Sequence, residues 1–155
     1  MGDTIQKRLA ALGLSLPAAS APAANYVPYA RSGRLLLTAG QLPFADGKLA
    51  ATGLLGRDLD TAAGAEAAKH CALNVLAQLQ AAAGDLEKIE RLVKITVFVA
   101  SAPDFAEQHL VANGASDLFV AALGERGRHA RSAVGVAALP FNAAVEVEAI
   151  AELSE

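Results

Sequence analysis

Three stretches of the chain carry a period that fixes their conformation. From Asp60 to Ala83, Gly64, Ala68, Cys71, Val75, Leu79 and Ala82 recur at helical spacing and line one face, while Glu66, His70 and Asn74 line another. Gly84-Asp85 ends that helix. Residues 91–100 (RLVKITVFVA) place Val93, Ile95, Val97 and Val99 on one face of a strand, with Lys94 and Thr96 on the other. Residues 145–153 (VEVEAIAEL) alternate as well, Val145, Val147, Ala149, Ala151 and Leu153 opposing Glu146, Glu148 and Glu152. Weaker signals fill the gaps. RLLLTAGQLP (34–43) reads as a short strand, and Asp46-Gly47 behind it marks a hairpin. A second helix is predicted over 103–123, opened by Asp104 and closed by Gly124, and a small-residue strand over 131–138. Near the start, Thr4 caps a short helix bearing Ile5, Leu9 and Leu12 and stopped by Gly13, followed by an extended Pro/Ala-rich linker over 15–28. The order β, β, α, β, α, β, β predicts an α+β domain with helices on one sheet face.

Composition sharpens this picture. A chain of 155 residues with 54% hydrophobic and 19% charged residues is long and apolar enough to fold as one domain rather than remain disordered. Much of the apolar content is alanine, and the aromatics are five Phe and two Tyr with no Trp. So lean a core points to apolar surface buried against further copies of the chain. A net charge of −3 opposes a dedicated nucleic-acid role. The single cysteine, Cys71, excludes an intrachain disulfide, and its apolar helix face favours a buried, inert thiol. No stretch reaches the length of a transmembrane helix. Lys7-Arg8 and the following LAALGLSLPAAS imitate a signal peptide, but Gly13 and Pro17 break the apolar run; the retained helix is the preferred reading, and with it a cytoplasmic location.

Few residues stand out as chemistry. Arg131 precedes a small-residue segment that carries no further charge before Pro140. Its guanidinium could grip a carboxylate with parallel hydrogen bonds; the competing reading is a surface arginine or an ion pair with a C-terminal glutamate. Glu146 and Glu148 are either solvated or placed to orient or deprotonate a water. His129, next to Arg131, is a weak acid–base candidate, and His70 reads as a polar helix residue. No His-x-x-His spacing supports a metal site, and no G-x-S-x-G, Walker-type or dinucleotide-binding pattern occurs.

YVPYARSGRLLLTAGQLP, KITVFVAS…DF, VANGASDLF and RSAVGVAALPFNAAVEVEAIA together resemble the Rid family, also called the YjgF or endoribonuclease L-PSP family. The resemblance runs from about Asn25 to the C-terminus, setting residues 25–155 apart as the Rid/YjgF-like domain and 1–24 as N-terminal helix and linker. NGASDL, GRHARSAVG and the N-terminal helix resemble a branch distinct from the best-studied enamine/imine deaminases. The resemblance implies a chorismate-mutase-like α+β fold, with a mixed sheet and two main helices on one face, assembled as a homotrimer with clefts between subunits. It implies hydrolysis of 2-iminoacids or enamines to 2-ketoacids and ammonia, without cofactor, metal, nucleic acid or membrane. Matched by position, Arg131 is the carboxylate-holding arginine and Glu146 the catalytic glutamate, with Tyr29, Gly40, Asn113, His129 and Ala133 lining the ligand cleft. Ala133 replaces the family's common cysteine and Ala39 a common serine or threonine, which leaves open a trimer that binds a small carboxylate without turnover. Ribonuclease activity, suggested by the family's other name, is disfavoured by the acidic charge and the absence of a stacking platform.

Overall fold

Asp60 starts the longest helix: its carboxylate accepts the Ala63 backbone N–H at 2.8 Å, and Gly84, at φ 84°, supplies the left-handed residue that ends it. In the computed structural model, which describes residues 2–155, the elements are α1 (Ile5–Ala11), β1 (Tyr29–Ser32), β2 (Leu35–Thr38), β3 (Phe44–Ala45) and β4 (Lys48–Leu49). They continue with α2 (Thr61–Ala83), β5 (Ile89–Ala100), α3 (Gln108–Leu123), β6 (Ala130–Val136) and β7 (Val145–Leu153). Asp46 and Gly47, both at positive φ, form the turn between β3 and β4 that the Asp-Gly pair predicts.

Five strands form one mixed sheet in the order β1-β2-β7-β5-β6. β5 and β6 are parallel and are joined through α3, while every other neighbouring pair is antiparallel. Registration decides which way each side chain points. Ile95 pairs with Arg131 on one side and Ala149 on the other; Phe98 pairs with Val134 and Glu146. Ile95, Val97, Val99, Val145, Val147 and Ala149 therefore share the face that packs under α2 and α3, and all are buried. Lys94, Thr96, Phe98, Ser132, Val134, Glu146 and Glu148 share the opposite face, which no helix among the described residues covers. Leu35, Leu37 and Val134 on that face are 39%, 39% and 42% exposed.

One expected boundary moves, and two further features are not read from the sequence. The second helix begins at Gln108, not near Asp104, because Phe105 donates its N–H to Ala102 O and packs its side chain against Gly56, holding 102–105 in a turn. Asn74, on the face shared with Glu66 and His70, is buried and donates to Leu42 O and Phe44 O at 2.9 and 3.0 Å, tying the β3 hairpin to α2. Tyr29–Ser32, which follows the 15–28 linker and is assigned to no element from the sequence, is the edge strand β1. α1 docks on the same core through Ile5 and Leu9, and the Ile5 N–H donates to the Glu87 carboxylate. Cys71 is buried against Val145 O, and burial, with Glu146 nearby, pushes its thiol well above the usual range.

Candidate functional site

Arg131 sits at the start of β6 on the helix-facing side of the sheet, under the exposed flank of α3. Its Nη1 donates to Asn113 Oδ1 (2.9 Å) and Ser116 Oγ (3.1 Å), and its Nη2 donates to the His109 carbonyl (3.0 Å). All three acceptors are neutral. No carboxylate lies within ion-pair distance among the described residues, so the internal ion pair weighed above is absent. The remaining N–H groups, Nε–H and one on Nη2, have no partner among the described residues. A half-buried, permanent positive charge is thus held in a fixed orientation with donors to spare.

His129 completes this cluster. Gly127 O can only accept, so His129 Nδ1, 2.6 Å away, carries the proton and donates it; Nε2 is then left to accept the Ser116 hydroxyl at 2.9 Å. Burial lowers the imidazole's pKa, the Gly127 hydrogen bond opposes it in part, and the neighbouring Arg131 charge lowers it further. The Phe119 ring meets it edge-on at 5.9 Å. Ser116, Asp117, Val120, Arg128, His129 and Arg131 line an open depression of about 290 Å³. Ala133, one pleat along from Arg131, packs toward the core instead of lining it. Sequence reasoning missed Ser116, although it lies three residues after Asn113 and so on the same helical face.

Gly40 and Glu146 meet elsewhere, on the uncovered face near β2 and β7. A methyl group at Gly40 would collide with the Glu146 carboxylate, so glycine here serves close approach and not a positive φ. Burial and then Glu148 raise the Glu146 pKa above the usual carboxylate range. Beside Gly40 is a small pocket walled by Tyr26, Phe44 and Phe141, the last at φ 58° and 66% exposed. Tyr29 stands apart, opposite Thr38 on the edge strand. One copy of the chain therefore brings Arg131, Asn113 and His129 together, and separately Gly40 and Glu146, on opposite faces of the sheet.

Gly40→Ala tests that packing. The obstructing atoms are the mobile end of a side chain, so the expected loss of stability is about 1 kcal/mol or less. The displaced Glu146 carboxyl should move toward solvent, and its NMR titration should shift down toward the ordinary glutamate range.

Among the described residues no helix is long and apolar enough to cross a membrane. Over residues 6–153 the chain matches the family described as "YjgF/chorismate_mutase-like, putative endoribonuclease". The Trypanosoma cruzi protein TCP17 is 55% identical over 151 residues, covering 97% of this chain and 94% of that protein. Among solved structures, Atu1372 from Agrobacterium tumefaciens, described as having unknown function, is 58% identical with a TM-score of 0.91, covering 97% of this chain and 92% of the other. A Shewanella oneidensis structure described as "a putative endoribonuclease" is 36% identical with a TM-score of 0.95, covering 97% of this chain and all of the other.

Proposed function

Because the chain belongs to the YjgF/chorismate-mutase-like family, we propose that it hydrolyses 2-iminoacids or their enamine forms to 2-ketoacids and ammonia, in clefts between the subunits of a homotrimer. The observation that carries this reading is Arg131: a fixed guanidinium with spare donors, three neutral acceptors and no internal carboxylate to displace. A substrate carboxylate supplies the missing counter-charge. Arg131 and Glu146 lie on opposite faces of one copy, so the cleft takes Arg131 from one subunit and Gly40 and Glu146 from its neighbour. The uncovered sheet face, with Leu35, Leu37 and Val134 partly exposed, supplies apolar surface for that assembly.

In this cleft Arg131 orients the substrate and Glu146 takes a proton from a water that adds to the C=N carbon. Glu146 returns that proton to the nitrogen, the new hydroxyl then gives up its own proton as the C–N bond breaks, and the nitrogen leaves as ammonia while the carbon keeps the water's oxygen as the ketone. The raised Glu146 pKa brings this base closer to neutrality, and activity should fall as pH drops through it. The test is loss of freshly generated 2-iminoacids with and without protein, alongside native mass. We expect a trimer, acceleration by wild type, and a fall in kcat of about 100-fold in Glu146→Gln with KM nearly unchanged. No acceleration across several amino-acid-derived imines would overturn the reading. Ala39, which offers no hydroxyl beside Gly40, favours one second reading: the cleft holds a small carboxylate without turnover. In that case Glu146→Gln leaves binding intact and no rate depends on it.

A further inference from the structure

A second constellation lies in the Arg131 depression and is unused by the chemistry above. Ser116 Oγ donates to His129 Nε2 at 2.9 Å, and the His129 Nδ1–H is anchored on Gly127 O at 2.6 Å. This is the order nucleophile, base, orienting acceptor. The imidazole is held on several sides. Phe119 packs edge-on against it, and Gly127 is wedged so tightly that an added Cβ would strike the Phe119 carbonyl, which fixes the position of the orienting oxygen. Arg131 Nη1 donates to the same Ser116 oxygen at 3.1 Å, a neighbouring positive charge that favours departure of the hydroxyl proton. The serine lines the open depression and is not sealed in the core. It sits mid-helix, away from any strand–helix elbow, which is why no sequence pattern flags it.

We propose that Ser116 is a nucleophile activated by His129, and that this depression hydrolyses short acyl esters bearing an acidic group. The Ser116 oxygen bonds to the ester carbonyl carbon while its proton passes to His129 Nε2. The carbon–oxygen bond to the alcohol breaks, and the alcohol leaves with that proton. Water then attacks the acyl-serine, giving a proton to His129 that returns to Ser116 Oγ as the acid departs. Ester and water become acid and alcohol, with no other reactant. Arg131 selects the acidic group by charge. Val120 and the small volume restrict the acyl chain, and the Asp117 carboxylate on the rim opposes a second negative group.

The test is covalent. The full-length protein is treated with a fluorophosphonate probe, and the modified residue is located by mass spectrometry. We expect one adduct on Ser116, its loss in Ser116→Ala, and labelling slowed about 100-fold in His129→Gln. Ser116→Cys keeps a nucleophile of similar size at this position and should regain labelling with a thiol-directed ester, so a folding defect in the alanine variant does not blur the result. Hydrolysis of 4-acetoxybenzoate should exceed that of phenyl acetate about tenfold at low salt. A folded wild-type protein that gains no adduct at Ser116, labelling indifferent to His129→Gln, or equal rates on the two esters would each overturn the proposal. Imine hydrolysis does not enter these measurements, so either reading can fail without the other.

Discussion

Arg131→Ala should lower the affinity for 2-ketoacid carboxylates about 100-fold, roughly 3 kcal/mol by titration calorimetry at moderate salt, and abolish any acceleration of 2-iminoacid loss. The size of the effect follows from what surrounds the residue. An arginine neutralised by an internal carboxylate would have to give up that partner before holding a ligand, and its removal would cost binding little. Here the guanidinium is satisfied by Asn113, Ser116 and the His109 carbonyl, which orient it without discharging it. Folding should suffer little, by about 1 kcal/mol, because the acceptors left behind are reached by water. A second readout comes from His129. Arg131 is one of the influences holding its pKa down, so in Arg131→Ala the imidazole should titrate at higher pH than in wild type. Arg131→Lys keeps the charge but cannot reach three acceptors and a carboxylate together, and should fall between the two. Unchanged carboxylate affinity in a folded Arg131→Ala protein would remove the foundation of the proposed chemistry.

How much of this was legible from residues alone depends on whether local or long-range forces decide each feature. α2 was, because Asp60, Gly84 and the period between them are local signals that the structure uses as read. β7 was too, since burial on one face imposes strict alternation; β5 was only in part, because irregularities at Ile89/Arg91 and Leu92/Lys94 bury Leu92 rather than the expected Val93. β1 was not: Ala30, Arg31 and Ser32 are exposed on an edge strand, so nothing in the chain records a buried face. The start of α3 was misplaced because Phe105 gains more from packing on Gly56 in a turn than from extending a helix from Asp104. At the site, the arginine was visible as an unexplained charge, but its facing was not. β6 is built from small residues on both faces, so only its parallel pairing with β5 shows that Arg131 points under α3 while Glu146 points away. Ser116 gains its meaning only through His129, thirteen residues on and brought back across the end of α3.

Gly114→Ala is the sharpest test of the scaffold that holds Arg131. Gly114 lies mid-helix in α3, where alanine is favoured over glycine by about 1 kcal/mol, so propensity alone forecasts a more stable protein. Packing forecasts the reverse. A Cβ there would run into the backbone carbonyl of Ala65 on α2, with the Ala65 Cα only 2.9 Å away. One turn earlier Val111 packs close on Gly64 of α2, so the two helices approach closely along this stretch. Backbone cannot rotate aside as the Glu146 carboxylate can at Gly40; the helices must separate and open the core around Ala115, Leu118 and Phe119. We expect a net loss of about 3 kcal/mol by chemical denaturation, or roughly 6–12 °C in Tm for a chain of this size. Because His109, Asn113 and Ser116 all ride on α3, the same displacement should loosen the cradle of Arg131 and weaken carboxylate binding in the protein that remains folded. A Gly114→Ala protein at or above wild-type stability would mean that helix propensity outweighs the α2–α3 contact, and that the close crossing does not hold the arginine in place.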